Sequence, residues 1–337
     1  MKLHVIVRAA GERTSDACVR ELERQTSPAA VERVELTPFW RTLRAGLEHG
    51  RHSGADWVLS VDADVLPSQQ AVSMAMAWAA KAGDRDAVLS GMIQDKFTAT
   101  VRFGGIRLYR AATIPLVLEV MPGLGETVRP ESTAIKKLAE RGWRHHLVSE
   151  LAGLHDYEQY YRDIYRKAFL HMQKHGARMA RFLDLWMSLA DRDPDYQAAL
   201  AGAADAMLDR RAVDCDAGHA AFQERESLAR IGLVEKPAMD GAGLDYQAEI
   251  DRLQAALDRG EIAPVSPDEQ ADYERARSEA DALASLGRLG DSLKRLAALS
   301  PALKNAAIHQ VRRAIPDSDL LRTFSFREWL RARTNRG

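Results

Sequence analysis

Two aspartates separated by one residue follow an apolar run near residue 60. The run 57–61 is Trp-Val-Leu-Ser-Val, and Asp62, Ala63 and Asp64 come directly after it. Two carboxylates at this spacing can bind a hard divalent cation, directly or through water, and the cation can neutralise diphosphate oxygens. The pair therefore predicts a metal site for nucleotide-diphosphate chemistry, with a solvated turn as the alternative that the motif alone leaves open.

The stretches around this pair predict an α/β fold. Short β-branched runs alternate with amphipathic stretches over the first 150 residues, which is typical of βαβ units around a largely parallel sheet. We expect strands at 3–7, 31–36, 57–61, 87–92, 104–110 and 143–148. Helices are expected from the turn at Ser15-Asp16 to about Gln25, at 38–50, after Pro67 and at 131–141. Asp62 is thus predicted at the carboxyl end of a strand, the edge at which open α/β sheets bind ligands.

The second half of the chain has a different composition. Beyond His155, β-branched residues thin out and Ala, Leu, Arg, Asp and Glu follow long helical periods. We predict a catalytic α/β domain at 1–158 and a helical C-terminal region at 159–337 for acceptor, membrane or partner contacts. Basic residues far outnumber acidic ones in 288–336, which predicts a surface for an anionic acceptor or the cytoplasmic membrane face, with a solvated helix face as the alternative.

Overall composition restricts the partners and the compartment. The 337 residues include 47 basic and 48 acidic side chains, so no global charge favours nucleic acid as a partner. Cys18 and Cys215 match no Cys-x-x-Cys pattern and fit a reducing compartment. The N-terminus lacks the apolar stretch of a secretory signal, and no stretch approaches the roughly 20 apolar residues of a membrane-spanning helix. We expect a cytoplasmic protein, peripheral at the inner membrane face where the basic segment contacts lipid.

Over about residues 1–160 the sequence resembles the GT-A glycosyltransferases, especially the bacterial family 2-like enzymes. The residues that carry the resemblance are the strand 3–8, the helix 41–50, Asp62-Ala63-Asp64, 130–132 with Gly142-Trp143, and 153–155. The resemblance implies a GT-A fold, which is a Rossmann-like mixed sheet with helices on both faces. It also implies transfer of a sugar from a nucleotide-diphosphate sugar, UDP-sugar before GDP-sugar, to an acceptor hydroxyl. The sequence leaves that acceptor open between a glycan, a lipid-linked sugar, a protein and a small molecule.

A metal site is part of what the resemblance implies. In the family, the Asp-x-Asp segment binds Mn²⁺ or Mg²⁺ together with the donor diphosphate, and a late histidine often completes the site. Asp64 and His155 are the expected ligands here, and Asp62 is expected to contact the donor ribose or a metal-bound water. A hydrogen-bonded loop histidine is the alternative for His155. His145 and His146 are neighbours in a predicted strand and point to opposite faces, so we interpret both as structural.

The resemblance also implies contacts to the donor nucleotide. Arg8 closes the matching first strand, Glu35 matches an acidic residue that contacts the base, and Arg41 and Arg44 match a basic position near the diphosphate. A solvated strand residue is an equal alternative for Glu35, as is an exposed helix face for the two arginines. Only 61 residues precede Asp62, which is short for the family, and the donor therefore stays open.

Glu131 is the candidate catalytic residue. In inverting members a carboxylate at the start of the corresponding helix acts as general base on the acceptor hydroxyl, and Glu131 matches that position. An acidic residue in a first helical turn is also favoured by the helix dipole, which is the alternative. Because His155 resembles a ligand that retaining members also have, the stereochemical outcome stays open.

Three other functions fit parts of the sequence. A haloacid dehalogenase-type phosphohydrolase also uses Asp-x-Asp, but on its first strand and followed by Gly and Thr, whereas Val65-Leu66-Pro67 follow here. A sugar-phosphate nucleotidyltransferase needs a glycine-rich loop after the first strand, and 9–13 is poor in glycine. A helical assembly or scaffold protein with a non-catalytic domain is the non-enzymatic alternative, and the intact Asp62, Asp64 and His155 count against it.

Overall fold

The computed structural model describes residues 1–127, 129–175, 180–208, 222–239 and 244–265. The predicted basic surface at 288–336 and Cys215 lie outside these residues. The contacts divide the chain into two compact units, of which one contains 1–163 and, of the later described residues, 235–239 and 244–265. The other contains the described residues between 164 and 234. Within the described ranges, no helix has the length and apolar character needed to cross a membrane.

Seven strands form one mixed sheet in the order β2-β1-β3-β6-β5-β7-β4. The strands are β1 (Leu3–Ala9), β2 (Val31–Glu35), β3 (Trp57–Asp62), β4 (Val65–Pro67), β5 (Asp86–Asp95), β6 (Thr100–Arg110) and β7 (Arg144–His155). β1 is parallel to β2 and β3, β6 is antiparallel to β3 and β5, and β7 is parallel to β5. The carboxyl ends of β1, β2, β3, β5 and β7 therefore lie at one edge of the sheet.

Ten α-helices lie in the described part of the chain. They are α1 (Ser15–Gln25), α2 (Phe39–His52), α3 (Ala71–Lys81), α4 (Ile114–Val120), α5 (Pro130–Glu140), α6 (Tyr161–His175), α7 (Ala180–Leu189), α8 (Pro194–Leu208), α9 (Glu224–Arg230) and α10 (Gln247–Asp258). The sequence explains both ends of α5. The helix begins at Pro130, and proline is favoured at a first helical position. Gly142, just past its end, has a φ of 83°, a left-handed conformation that glycine adopts freely.

Helices cover both faces of the sheet. α1 and α3 bury Leu22 and Trp78 against Val5 and neighbouring strand residues on one face. α2, α4 and α5 pack on the other face, around Ile6 and Leu43. Val5 and Ile6 point to opposite faces because side chains alternate along a strand. The predicted α/β class, a Rossmann-like mixed sheet with helices on both faces, is confirmed.

Three strands reach further toward the carboxyl edge than the sequence patterns predict. β5 continues to Asp95, β6 begins at Thr100, and β7 continues to His155. The apolar pattern fades at Gln94 and Asp95, but their backbones still pair with Leu154 and His155 of β7. The predicted end of the last strand at residue 148 was therefore wrong, because backbone pairing extends the strand to His155 where polar side chains interrupt the hydrophobic pattern.

One helix from the second half of the sequence packs against the sheet. Ile250 and Leu253 of α10 are buried together with Leu66 and Leu151. The Gln254 side-chain oxygen also accepts a hydrogen bond of 2.7 Å from the backbone N–H of Leu151. The sheet unit thus includes α10, while the division of the chain at residue 158 stays a prediction.

The second unit is helical in its described part. Tyr165, Phe169 and Trp186 are buried there. Tyr165 donates a hydrogen bond of 2.6 Å to Asp205 of α8. A Cβ added at Gly202 would lie 2.1 Å from the carbonyl oxygen of Tyr165, so only glycine permits this close approach of α6 and α8.

Candidate functional site

The carboxyl edge of the sheet gathers charged residues from several strands. Arg8 lies near the end of β1, whereas Asp62, Asp95 and His155 are the last residues of β3, β5 and β7. Arg102 lies near the start of the antiparallel β6 and so reaches the same edge. Strand ends hold these side chains on a rigid base, as a binding or catalytic site requires.

Asp64, His155 and Asp156 form a compact group at this edge. One donor atom from each of the three lies within 4.8 Å of the others. His155 Nε2 is 3.5 Å from Asp64 Oδ2, and His155 Nδ1 is 3.1 Å from Asp156 Oδ2. The backbone holds the group together, since β4 pairs with β7 at Val65 and His155, and the Asp156 N–H donates to the Asp64 carbonyl at 3.0 Å.

The backbone after β7 has an unusual conformation. Asp156 and Glu158 have φ values of 64° and 59°, which lie in the left-handed region. Such conformations are uncommon for residues other than glycine, although Asp is among the residues that tolerate them best. Residues in such conformations cluster at functional sites, and Asp156 directly follows His155.

The electrostatics of the group favour a positive charge between the carboxylates. Burial lowers the pKa of His155, but Asp156 and Asp64 outweigh burial and hold that pKa well above its ordinary value. The two carboxylates therefore favour the positively charged imidazolium form of His155. A divalent cation would supply the same compensation, since a cation favours the ionised form of nearby carboxylates.

Asp62 lies beside this group and is held by Arg8. Arg8 Nη2 is 2.7 Å from Asp62 Oδ1, and the Asp62 side chain keeps 20% of its surface exposed. Burial raises the pKa of Asp62, Arg8 lowers it, and the nearby Asp64 raises it, so the carboxyl titrates above its usual value. The structure places Asp64 and His155, the two expected metal ligands, next to each other. A contact of Asp62 with the metal stays a prediction.

Glu131 is part of a buried ion-pair network. Its Oε1 accepts hydrogen bonds from Arg8 Nη1 at 2.6 Å and from the Tyr109 hydroxyl at 2.5 Å. Its Oε2 accepts one from Arg107. Burial raises the pKa of Glu131, but the two arginines and Tyr109 lower it to about 2. A general base works best with a pKa near the operating pH, so this environment weighs against the predicted catalytic role, which stays a prediction.

The other residues that we expect to contact the donor nucleotide lie around the same edge of the sheet. Glu35 ends β2 and is exposed, 3.9 Å from Arg33. Arg41 is exposed at the start of α2, and the Arg44 guanidinium lies 5.7 Å from the centre of the Trp40 ring. Arg8 is fully enclosed and forms ion pairs with Asp62 and Glu131. A direct contact of any of these four residues with a nucleotide stays a prediction.

Three residues of the site were missed in the sequence. Asp156 directly follows His155, and this adjacency was a usable signal. Asp95 ends a strand, just as Asp62 does, but the strand predicted from the sequence stops three residues earlier, at residue 92. Arg102 gives no sequence signal, because its role depends on the pairing of β6 with β5.

Comparisons with known proteins give weak similarities. No protein-family model and no curated protein sequence matches the chain. The mannosyltransferase PcManGT from Pyrobaculum calidifontis, solved with GDP-Man and Mn²⁺, has a TM-score of 0.33 and 16% identity, over 76% of this chain and 80% of that chain. S. aureus TarS 1–349, solved with UDP-GlcNAc, has a TM-score of 0.32 and 13% identity, over 93% and 89%. Similarities of this size carry no argument about function.

His145 gives a prediction about acid stability. Its Nε2 is 2.8 Å from the Ser90 hydroxyl, and burial, with a smaller effect of Arg107, lowers its pKa to about 4. The unfolded chain binds this proton near pH 6.5, so between pH 6.5 and 4 the unfolded state holds more protons and stability falls as the pH falls. We expect His145→Gln to remove about 2 kcal/mol of the stability loss between pH 7 and 4.5, measured by urea unfolding.

His146 is the matched control for this experiment. It is the next residue of β7 and its side chain is exposed, in agreement with the predicted opposite orientation. His146→Gln should keep the pH dependence of the wild type. Equal pH dependence in all three proteins would show that His145 has the same pKa in the folded and the unfolded protein, which would contradict the prediction.

Proposed function

We propose that this protein transfers a sugar from a nucleotide-diphosphate sugar to an acceptor hydroxyl, with Mn²⁺ or Mg²⁺ held by Asp64, His155 and Asp156. The observation that carries the proposal is the convergence of these three side chains at the carboxyl edge of the sheet, where β3 ends at Asp62. The resemblance of residues 1–160 to GT-A glycosyltransferases supports the same reaction. A UDP-sugar is the favoured donor and a GDP-sugar is the second choice.

The ligand atoms of Asp64, His155 and Asp156 are of the kinds that bind Mn²⁺. Two carboxylates and one imidazole suit Mn²⁺ better than Ca²⁺, because nitrogen ligation favours a transition metal. The three donor atoms lie within 4.8 Å of one another, so small side-chain shifts suffice to bring them to one ion. When bound, the ion would neutralise the diphosphate of the donor and of the departing nucleoside diphosphate.

The neighbouring residues have roles that follow from their positions. Asp62 is partly exposed while Arg8 fixes one of its oxygens, so it can accept a hydrogen bond from a donor ribose or from a metal-bound water. Glu35, Arg41 and Arg44 remain proposed donor contacts on β2 and α2. The acceptor, whether glycan, lipid-linked sugar or protein, is left to the appended regions, since loops and appended domains determine such choices.

The test is nucleotide binding with and without Mn²⁺. We expect UDP and Mn²⁺ together to raise the thermal midpoint of the full chain more than the sum of their separate effects. A ligand at 100 times its Kd adds about 2.7 kcal/mol to the stability of the folded state. UMP is the matched control, because it lacks the second phosphate whose charge the ion would neutralise, and it should give little increase with Mn²⁺.

A donor panel then tests the reaction itself. Mn²⁺-dependent hydrolysis of one sugar nucleotide, abolished by EDTA, is the expected result for a transferase without its acceptor. Failure of UDP, GDP and all donors to bind in the presence of Mn²⁺ would contradict the proposal and favour the scaffold alternative.

A further inference from the structure

We infer that Asp95 is a positioning residue that orients the His155 imidazole so that its Nε2 faces the cation, an inference that rests on the proposed metal site. Asp95 ends β5 and its side chain is 4% exposed. Its Oδ2 lies 3.2 Å from His155 Nδ1, whereas the Oδ2 of Asp64 lies 3.5 Å from the other ring nitrogen, Nε2. The imidazole thus has a carboxylate at each nitrogen.

Asp95 is itself held in place by three hydrogen bonds. Arg102 donates to Asp95 Oδ2 from Nε at 3.0 Å and from Nη2 at 2.8 Å. The backbone N–H of Thr98 donates to Oδ1 at 3.0 Å. Because both oxygens are occupied by fixed donors in a buried setting, Asp95 is suited to hold a neighbour rather than to bind an ion itself.

The tautomer of His155 follows from these contacts. The Asp95 and Asp156 carboxylates lie 3.2 and 3.1 Å from His155 Nδ1 and, when ionised, can only accept. Among the described residues, Arg102 Nη2, 3.3 Å from the same nitrogen, is the one donor there, and it also donates to Asp95. A proton on Nδ1 is therefore directed to Asp95, and the lone pair of a neutral ring lies on Nε2, toward Asp64. A carboxylate behind a ligating histidine fixes the ring orientation and raises its basicity.

Asp156 is also close to Nδ1, at 3.1 Å. It differs from Asp95 because it lies on the backbone turn that follows β7, with a φ of 64°. Its carboxylate belongs to the donor group with Asp64 and His155. When Asp156 turns to the cation, Asp95 keeps the Nδ1 hydrogen bond, so the two acidic residues have separate tasks.

The test is Mn²⁺ affinity of the full chain without nucleotide, measured from the electron paramagnetic resonance signal of free Mn²⁺. We expect Asp95→Asn to weaken binding by about 10- to 100-fold, as outer-shell changes do in metal sites. Asp86→Asn is the matched control, since Asp86 begins the same strand, is buried, and pairs with Arg144 at 2.8 Å. It should keep wild-type affinity.

Two further measurements separate positioning from a structural effect. The visible spectrum of bound Co²⁺ at saturation should shift in Asp95→Asn and stay unchanged in Asp86→Asn. Asp95→Glu keeps the charge opposite Arg102 but displaces the carboxylate by one methylene, so it should also weaken Mn²⁺ binding. If Asp95→Asn does not fold, the Mn²⁺ affinity of Asp95→Glu tests the role of Asp95.

The outcomes distinguish this inference from the proposed function. Wild-type affinity and wild-type Co²⁺ spectra in folded Asp95→Asn or Asp95→Glu would overturn the role of Asp95 and leave the metal site intact. No Mn²⁺ binding by the wild type would overturn the metal site, and the role of Asp95 with it.

Discussion

Replacing Asp64 or His155 with alanine is expected to weaken Mn²⁺-dependent binding of UDP by about 100-fold or more. Each change removes one of the three groups that converge at the carboxyl edge. Metal and nucleotide affinity should fall together, because the diphosphate charge is neutralised largely through the ion. Calorimetry of UDP binding with and without Mn²⁺, on the wild type and both variants, measures this directly.

The chain offers a matched control for each variant. His146 lies on β7, as His155 does, but its side chain is exposed, so His146→Ala should bind as the wild type does. Asp56, just before β3, is 60% exposed and contacts the N-terminal residues, so Asp56→Ala should also leave binding unchanged. Equal UDP binding in all proteins, with or without Mn²⁺, would contradict the site.

The stability of Asp64→Ala should show that the site is built for binding rather than for folding. Asp64, Asp95 and Asp156 are three carboxylates around one imidazole. Removing Asp64 relieves repulsion from the other two carboxylates in the metal-free protein, but it also removes the attraction between Asp64 and the His155 ring. Because these two effects oppose each other, the thermal midpoint of Asp64→Ala without metal should stay close to that of the wild type, which also excludes misfolding as the cause of lost binding.

The sequence predicts the strand that carries Asp62 better than it predicts the other residues of the site. The run before Asp62 is apolar and buried, so its period and position identify β3 and the edge at which it ends. Asp95 is hidden because the last residues of β5 are polar and are held by backbone pairing with β7. Pairing between strands that are 60 residues apart leaves no local pattern in either strand.

Glu131 shows a second limit of sequence reasoning. Its place in the first turn of α5 fits a general base, a helix-dipole residue and a structural anchor alike. The three roles differ only in the partners that the fold brings to the carboxylate. Arg8 and Tyr109 come from β1 and β6, and nothing in the sequence near Glu131 indicates them.

Glu131→Gln is expected to lower the free energy of unfolding by about 3–5 kcal/mol at pH 7, because loss of one partner leaves buried charges uncompensated. Arg8 and Arg107 balance Asp62 and Glu131 in the wild type. The pKa of Glu131 is lowered to about 2, so its stabilisation is complete above its ordinary value and is lost as the pH falls toward 2. The difference between variant and wild type, measured by urea unfolding, should therefore shrink below pH 4.5.

The same variant separates an anchor from a general base. If Glu131 anchors Arg8, the variant should also bind UDP with Mn²⁺ more weakly, because Arg8 then holds Asp62 less firmly. If Glu131 removes the acceptor proton, the folded variant should bind UDP as the wild type does while transfer falls by about 10²-fold. Tyr109→Phe is the matched control, since it removes one hydrogen bond to Glu131 and keeps every charge. It should lower stability by only about 1 kcal/mol and leave UDP binding unchanged, so a larger loss in Glu131→Gln measures the carboxylate charge itself.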